Sequence, residues 1–413
     1  MGRGIVGDAL SLYAVQGLNY LVPLLLLPYL LRVLSPEGYG SIAFAQSLVG
    51  YAIILTEFGF NLTAARDISV ARSDPATVAR IYWTTVAAKT LLLIVSLVIL
   101  LAVTAATPDF RRQWPIFAAS SLLVVGNVAF PIWYFQGLER LREVAVLQAI
   151  AKCLVAGGAV VLVRTEKDTW IAALILATPQ LMGAAAALCL RKRLAPAQFY
   201  KPSINDILAA FRHSSHMFAS ILSTTLYLNT NTLFLGILSG ERAVALYSVG
   251  SRLVSALQSV ASPIIQSVFP RASLLFAERP EQAWALLRRV AVFVLPLVGV
   301  ASLSLAIFAP IVVKLIGGQA YAEASSVVRI MAFIPLLVTL ATALSQLIMV
   351  NMGLTRQLLR IYVAVGCANL LVLPILVTRF AAAGAALALL AAEALGPILM
   401  ISTLRARSRM KRD

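Results

Sequence analysis

Five ionisable side chains stand inside otherwise apolar runs: Glu57, Lys89, Lys152, Arg252 and Glu393. Charge at the centre of a bilayer costs about 2.5–3.5 kcal/mol on insertion scales, so it faces a cavity or a partner. Arg252, Ser255, Ser259, Ser262 and Gln266 follow one another at steps of three and four, which puts them on one helix face. Gln46, Gly50, Glu57 and Asn61, at steps of four, seven and four, do the same. Such stripes suit a water-filled cavity in which cationic groups attract an anion and carboxylates bind a coupling cation. Helix packing through small polar residues accounts for the serines but poorly for an Arg and a Glu. Glu57 has two readings, a pair with Arg66 or a cation site, and Glu393 has the same two in its own half. For Lys89 and Lys152, snorkelling to the membrane surface stands equal to a cavity role. Asn229, Asn231 and Thr232 place amides in one span, for interhelical bonds or a hydroxyl-rich ligand. His213 and His216 share a helix face at a membrane boundary and read as an interfacial pair.

The elements that position these groups are membrane helices. Of 413 residues, 60% are hydrophobic and 12% charged, against about 25% charged in a soluble protein. Mean hydropathy is +0.89. Too few charges exist to coat soluble domains, which excludes a soluble enzyme or a nucleic-acid binder. Apolar runs are predicted as twelve spans of roughly 20 residues or more: residues 9–31, 41–65, 81–108, 113–138, 144–163, 169–190, 217–240, 243–270, 290–313, 324–355, 361–378 and 380–404. All are helical, because backbone groups in lipid must bond within their own segment. The first follows Met1–Gly7 directly and reads as a span, not a removable signal. Of the 34 Lys and Arg residues, 22 fall on the face holding both ends and nine on the other. Both termini are therefore predicted cytoplasmic. This bias, with contact to anionic lipid, explains most of the +17 net charge. No GxxxxGK[ST] loop or zinc-type His motif is present, and the outer loops are short, which argues against an enzyme. Cys153, Cys189 and Cys367 all lie in apolar runs, where no disulfide framework or metal site is indicated.

The chain also repeats itself. Leu34-Ser35-Pro36-Glu37 recurs as Leu238-Ser239-Gly240-Glu241, a shift of 204. Arg66 and Arg271, like Pro75 and Pro280, are 205 apart. Gly137-Leu138-Glu139-Arg140 recurs as Gly353-Leu354-Thr355-Arg356, a shift of 216. Six spans per half is an even number, so both halves enter from the same side as parallel repeats, with substrate bound between two lobes. The predicted lobes are residues 1–205 and 206–413, joined by the basic stretch Arg191–Arg212.

Several of these segments resemble O-antigen and polysaccharide flippases of the multidrug/oligosaccharidyl-lipid/polysaccharide exporter superfamily. They are Pro28-Tyr29-Leu30-Leu31-Arg32-Val33-Leu34, Tyr39-Gly40, Glu57-Phe58-Gly59-Phe60, Ala65-Arg66-Asp67, Trp133 to Glu139, Leu226 to Thr232, and Val268-Phe269-Pro270-Arg271. Asn369 and Gly384 through Glu393 fit the last two spans. The family often has Asp where this chain has Glu57, and the charge is kept. The resemblance implies an all-α, twelve-helix, two-lobed flippase of the bacterial inner membrane. It would move undecaprenyl-diphosphate-linked oligosaccharide between leaflets by alternating access, coupled to H+ or Na+ and without a bound cofactor. A polysaccharide polymerase and chain-length proteins are implied as partners beside the bilayer. By the same resemblance Arg32, Arg66 and Arg271 join Lys89, Lys152, Arg252, Ser255, Ser259 and Asn229 as substrate contacts. Glu57, Asp67 and Glu393 become coupling carboxylates. An exporter of small cationic drugs would call for a cavity of carboxylates and aromatics, whereas the intramembrane balance here is three basic to two acidic. A non-transporting scaffold would need no matching stripes.

Overall fold

The computed structural model describes residues 21–194 and 198–410. The first part of the predicted first span, and Lys411 and Arg412 of the basic tail, lie outside the described residues, as do the side chains of Asn229, Ser262 and Gln266. Two compact units divide the chain, Met1–Thr225 and Leu226–Asp413.

In the first unit the described part of α1 is Leu21–Val33. It is followed by α2 (Pro36–Glu57), α3 (Phe60–Val70), α4 (Pro75–Ala106), the short α5 (Pro108–Arg112), α6 (Trp114–Ala129), α7 (Ile132–Gly137), α8 (Leu141–Leu162) and α9 (Thr169–Leu194). Local chemistry sets where these helices start. Ser35 caps α2 by accepting from the Gly38 N–H at 3.2 Å, with Pro36 in the first turn. Asp74 does the same for α4, accepting from the Ala76 N–H at 3.0 Å and from the Thr77 hydroxyl, with Pro75 following. Thr165 and Asp168 form a reciprocal capping box before α9.

Helix α10 (Ile204–Glu278) carries the chain into the second unit, where it breaks at Gly240 (φ 79, ψ −179). Then come α11 (Pro280–Gly317), α12 (Ala324–Met331), α13 (Ile334–Thr342), a π-helical turn (Ala343–Val350) and α14 (Thr355–Met410). Helix α14 breaks at Ala381 (φ 46), where Gly384 lies so close to the Leu376 carbonyl that no Cβ fits. These two breaks fall at the predicted junctions of spans seven with eight and eleven with twelve. Among the described residues there is no strand, and nine helical stretches are long and apolar enough to cross a membrane. Their outer faces are greasy: α4 exposes Ile94, Val98 and Leu101, and α11 exposes Phe293, Val300 and Ile307. Apolar surface on this scale faces lipid.

Local structure repeats where the sequence does. Pro36 opens α2 and Gly240 breaks α10, at the 204 shift; Pro75 and Pro280 both sit in the first turn of a long helix, at the 205 shift. After α7, the N–H groups of Leu138, Glu139 and Arg140 donate to the carbonyls of Tyr134, Gln136 and Phe135. After the π-helical turn, Met352, Gly353 and Leu354 donate to Ile348, Val350 and Met349 in the same pattern. Glu139 (φ 58) and Gly353 (φ 72) are the left-handed residues of these two turns. This hydrogen-bond pattern sets the equivalence at 214, two residues less than the sequence match.

Candidate functional site

Three polar clusters lie in the greasy scaffold, two in the first unit and one in the second. The first centres on Glu57, the last residue of α2. Phe58 (φ 43) and Gly59 (φ 78) then turn left-handed and end the helix. The predicted Gln46–Asn61 stripe therefore does not continue along one helix: Asn61 belongs to α3. Gly59 is required twice over. Its φ is one that only glycine adopts without cost, and a Cβ there would approach Met217 Cβ to 2.9 Å. The Phe58 ring stacks on Phe218 at 4.3 Å between centroids, so the break seats the start of α10. Glu57 Oε1 accepts from Asn127 Nδ2 at 3.3 Å, a partner in place of the Arg66 considered from sequence. Lys89 of α4 is 1% exposed and interacts electrostatically with Glu57; it does not snorkel. Asn127 Oδ1, and Asn61 Oδ1 four residues past Glu57, are buried with no hydrogen-bond partner among the described residues.

The second cluster lines a cleft of about 290 Å³ between α3, α4 and the start of α10. Asp67 Oδ2 lies 3.3 Å from His213 Nε2. Thr63 and Ser214 share a hydroxyl hydrogen bond of 2.8 Å. Asp206 is the hub: Arg80 reaches it at 2.5 Å, and Tyr200 Oη, Ser203 N and Ser203 Oγ donate to its other oxygen at 2.8–2.9 Å. The Arg80 guanidinium, then the Ser203 and Tyr200 donors, hold the Asp206 carboxyl well below the usual carboxylate range. The same bond to Asp206 pushes the Tyr200 hydroxyl up. Trp83 Nε1 donates to the Gln198 carbonyl at 2.9 Å. Together these bonds fasten residues 198–214 to α3 and α4.

The third cluster is buried in the second unit. Asn369 Nδ2 donates to Asn231 Oδ1 at 3.0 Å, and Asn231 Nδ2 reaches the Tyr247 hydroxyl at 3.4 Å. Tyr247 also interacts electrostatically with Glu393, and Asn369 Oδ1 has no hydrogen-bond partner among the described residues. Asn231 thus makes an interhelical bond to Asn369. A spare carbonyl oxygen can coordinate a small cation, and a carboxylate can do that or take up a proton.

The other predicted contacts sit outside these clusters. Arg32, Arg66, Arg252, Ser255 and Arg271 are exposed, and Lys152 is half-buried on α8. Ser259 is half-buried and spends its hydroxyl on its own helix, at the Ala256 carbonyl. Sequence reasoning missed Asn127, Asp206, Tyr200 and Tyr247. Asn127 had a signal, a lone amide in an apolar run, the same argument that singled out Glu57. The Trp133–Glu139 motif is structural: Gly137 lets α7 approach α3 so closely that a Cβ would come within 2.7 Å of Ile68 Cβ. Trp133, Tyr134 and Phe135 fill the core there, each no more than 2% exposed.

A lipid-facing scaffold of apolar helices with polar clusters buried in it is the architecture of a multi-pass membrane protein. Compared with known proteins, the chain is 29% identical over 398 residues to a protein of Escherichia coli (strain K12) named "Putative O-antigen transporter", with 96% of both chains covered. A namesake from Shigella dysenteriae is 27% identical, covering 96% of this chain and 99% of that one. In fold it is similar to the lipid II flippase MurJ in an inward closed conformation: TM-score 0.71, 10% identity, 97% of this chain and 87% of that one. An inward-facing multidrug resistance MATE transporter of the MOP superfamily gives a TM-score of 0.65 at 14% identity, over 95% and 99%. Residues 5–276 match the family model described as polysaccharide biosynthesis protein, and the chain belongs to that family.

Proposed function

We propose that this protein flips an undecaprenyl-diphosphate-linked oligosaccharide, an O-antigen or similar repeat unit, from the cytoplasmic to the outer leaflet of the bacterial inner membrane. The observation that carries the reading is the end-to-end match to proteins named as O-antigen transporters, covering 96% of this chain in each case. Twelve spans with both termini cytoplasmic follow from the run lengths and the basic-residue bias. A diphosphate is doubly anionic, and each unit presents exposed arginines to meet it: Arg32 and Arg66 in the first, Arg252 and Arg271 in the second. The glycan travels with its polyprenyl tail left in lipid. Movement is alternating access coupled to H+ or Na+, with the Glu57 and Glu393 clusters as the coupling sites and Asp67 joining through His213.

The test is reconstitution of the full chain in vesicles carrying a polyprenyl-diphosphate oligosaccharide in the inner leaflet. Lectin access from outside should rise with time, and should stop when one ion gradient, proton or sodium, is collapsed. No gain in lectin access over empty vesicles defeats the flippase reading. Transport indifferent to both gradients defeats the coupling.

A further inference from the structure

In the second unit an apolar groove of about 230 Å³ runs along one flank of α11. One wall is Trp284, Leu287, Ala291 and Val294; the other comes from α13 and the π-helical turn, including Leu344. Among the described residues Arg288 is the only charged one of the lining, and it makes no ion pair or hydrogen bond with a described residue. The groove opens on a helix that faces lipid: only 17% of the most apolar stretch of α11 is buried. From Trp284 to Leu295 the lining spans about 16 Å of helix rise, roughly half the hydrocarbon thickness of a bilayer. Its charged end also carries Trp284, 47% exposed, and an indole with one apolar and one polar edge belongs at headgroup depth. Arg279, Arg288 and Arg289 mark that end as the cytoplasmic one in the proposed orientation, where the leaflet is anionic. Among the described lining residues only Arg288, Thr339 and the Trp284 indole N–H offer polar groups, too few to pair the hydrogen-bonding groups of a peptide or a sugar. A hydrocarbon chain loses nothing there, and a phosphate at its end meets the guanidinium.

We infer that this groove binds an anionic phospholipid of the cytoplasmic leaflet, one acyl chain lying along α11 and the phosphate at Arg288. Trp284 supplies the probe. The full-length protein is reconstituted in phosphatidylcholine containing chain-brominated phosphatidylglycerol or, separately, chain-brominated phosphatidylcholine; the signal of Trp284→Phe is subtracted. Trp284 should be half-quenched at a roughly fivefold lower mole fraction of the anionic lipid, the preference expected from one basic residue near the surface. Arg288→Gln should make the two lipids equivalent and Arg288→Lys should keep most of the preference. Ala291→Phe, which fills the groove but keeps the charge, should lose it. Equal quenching in the unaltered protein, or a preference that survives Arg288→Gln, overturns the site. Undecaprenyl phosphate displacing the brominated lipid better than unlabelled phosphatidylglycerol at equal mole fraction also overturns it, giving the groove to the carried lipid. None of these readouts involves transport, so they stand or fall apart from the flippase reading.

Discussion

Asn369 donates to Asn231 where neither amide reaches solvent: their exposures are 2% and 0%. Truncating one partner strands the other, and an unsatisfied buried amide costs about 1–3 kcal/mol. Asn369→Ala should lower unfolding stability in detergent by that amount. Replacing both residues should cost less than the two single changes added together, by roughly 0.6 kcal/mol if this pair behaves as interhelical bonds in membranes do. Strict additivity would show that the two amides are not coupled. Asp206 makes a different prediction. A carboxyl depressed in the folded state contributes stability that is complete above its unfolded value, about 3.9, and lost only as pH falls through the lower folded one. With Arg80 and Ser203 holding it down, the fastening of residues 198–206 should be flat from pH 5 to 8. Limited proteolysis of that segment should be slow and pH-independent across this range, and faster throughout in Asp206→Asn. A steep pH dependence in the unaltered protein would contradict the assignment.

Among the elements, the α2–α3 break separates two kinds of glycine. Gly59 combines φ 78 with no room for a Cβ beside Met217, whereas Gly299 lies within helix α11 with nothing within 4 Å of its would-be Cβ. Gly59→Ala should therefore destabilise by at least the ~1–2 kcal/mol of a left-handed alanine. Gly299→Ala should be neutral or stabilise by about 0.5–1 kcal/mol through helix propensity. Thermal unfolding of both purified variants decides it, and equal shifts would mean the break carries no strain. The same break shows what was legible in the sequence. The all-helical, membrane-spanning class was, because lipid allows only helices; the helix starts at Ser35, Asp74, Pro75 and Pro280 were not read as caps, although their chemistry is local to neighbours two to four positions away. The left-handed Phe58 was not, because its conformation is held by Phe218, 160 residues on. Reading the polar stripe as one helix face assumed a helix that this distant packing interrupts. The Asp206 hub was hidden for the same reason: Arg80 meets it from 126 positions away.

For the whole molecule, the family and the end-to-end match fix the kind of protein, and the exposed arginines carry the proposed chemistry. Arg252 is the sharpest case, since it stands exposed on α10 in a span whose other charge-free turns bury Val249 and Val254. An exposed cation in a membrane helix is retained against an insertion cost of about 2.5–3.5 kcal/mol, which only a function or a partner offsets. If it contacts a diphosphate, Arg252→Ala removes a charge-assisted bond of about 1.5–3 kcal/mol, a drop of roughly tenfold or more in transport rate. Arg252→Lys keeps the charge but not the planar fork and should retain part of the rate. The measurement is surface glycan per molecule of transporter, at matched membrane expression, in cells lacking the native gene product. A structural role would lower expression of the Ala variant and leave the rate per molecule unchanged. Substrate contact predicts the reverse, normal expression with lipid-linked oligosaccharide accumulating on the cytoplasmic side. Equal surface glycan from all three proteins would remove Arg252 from the path and leave Arg32, Arg66 and Arg271 to carry the anion.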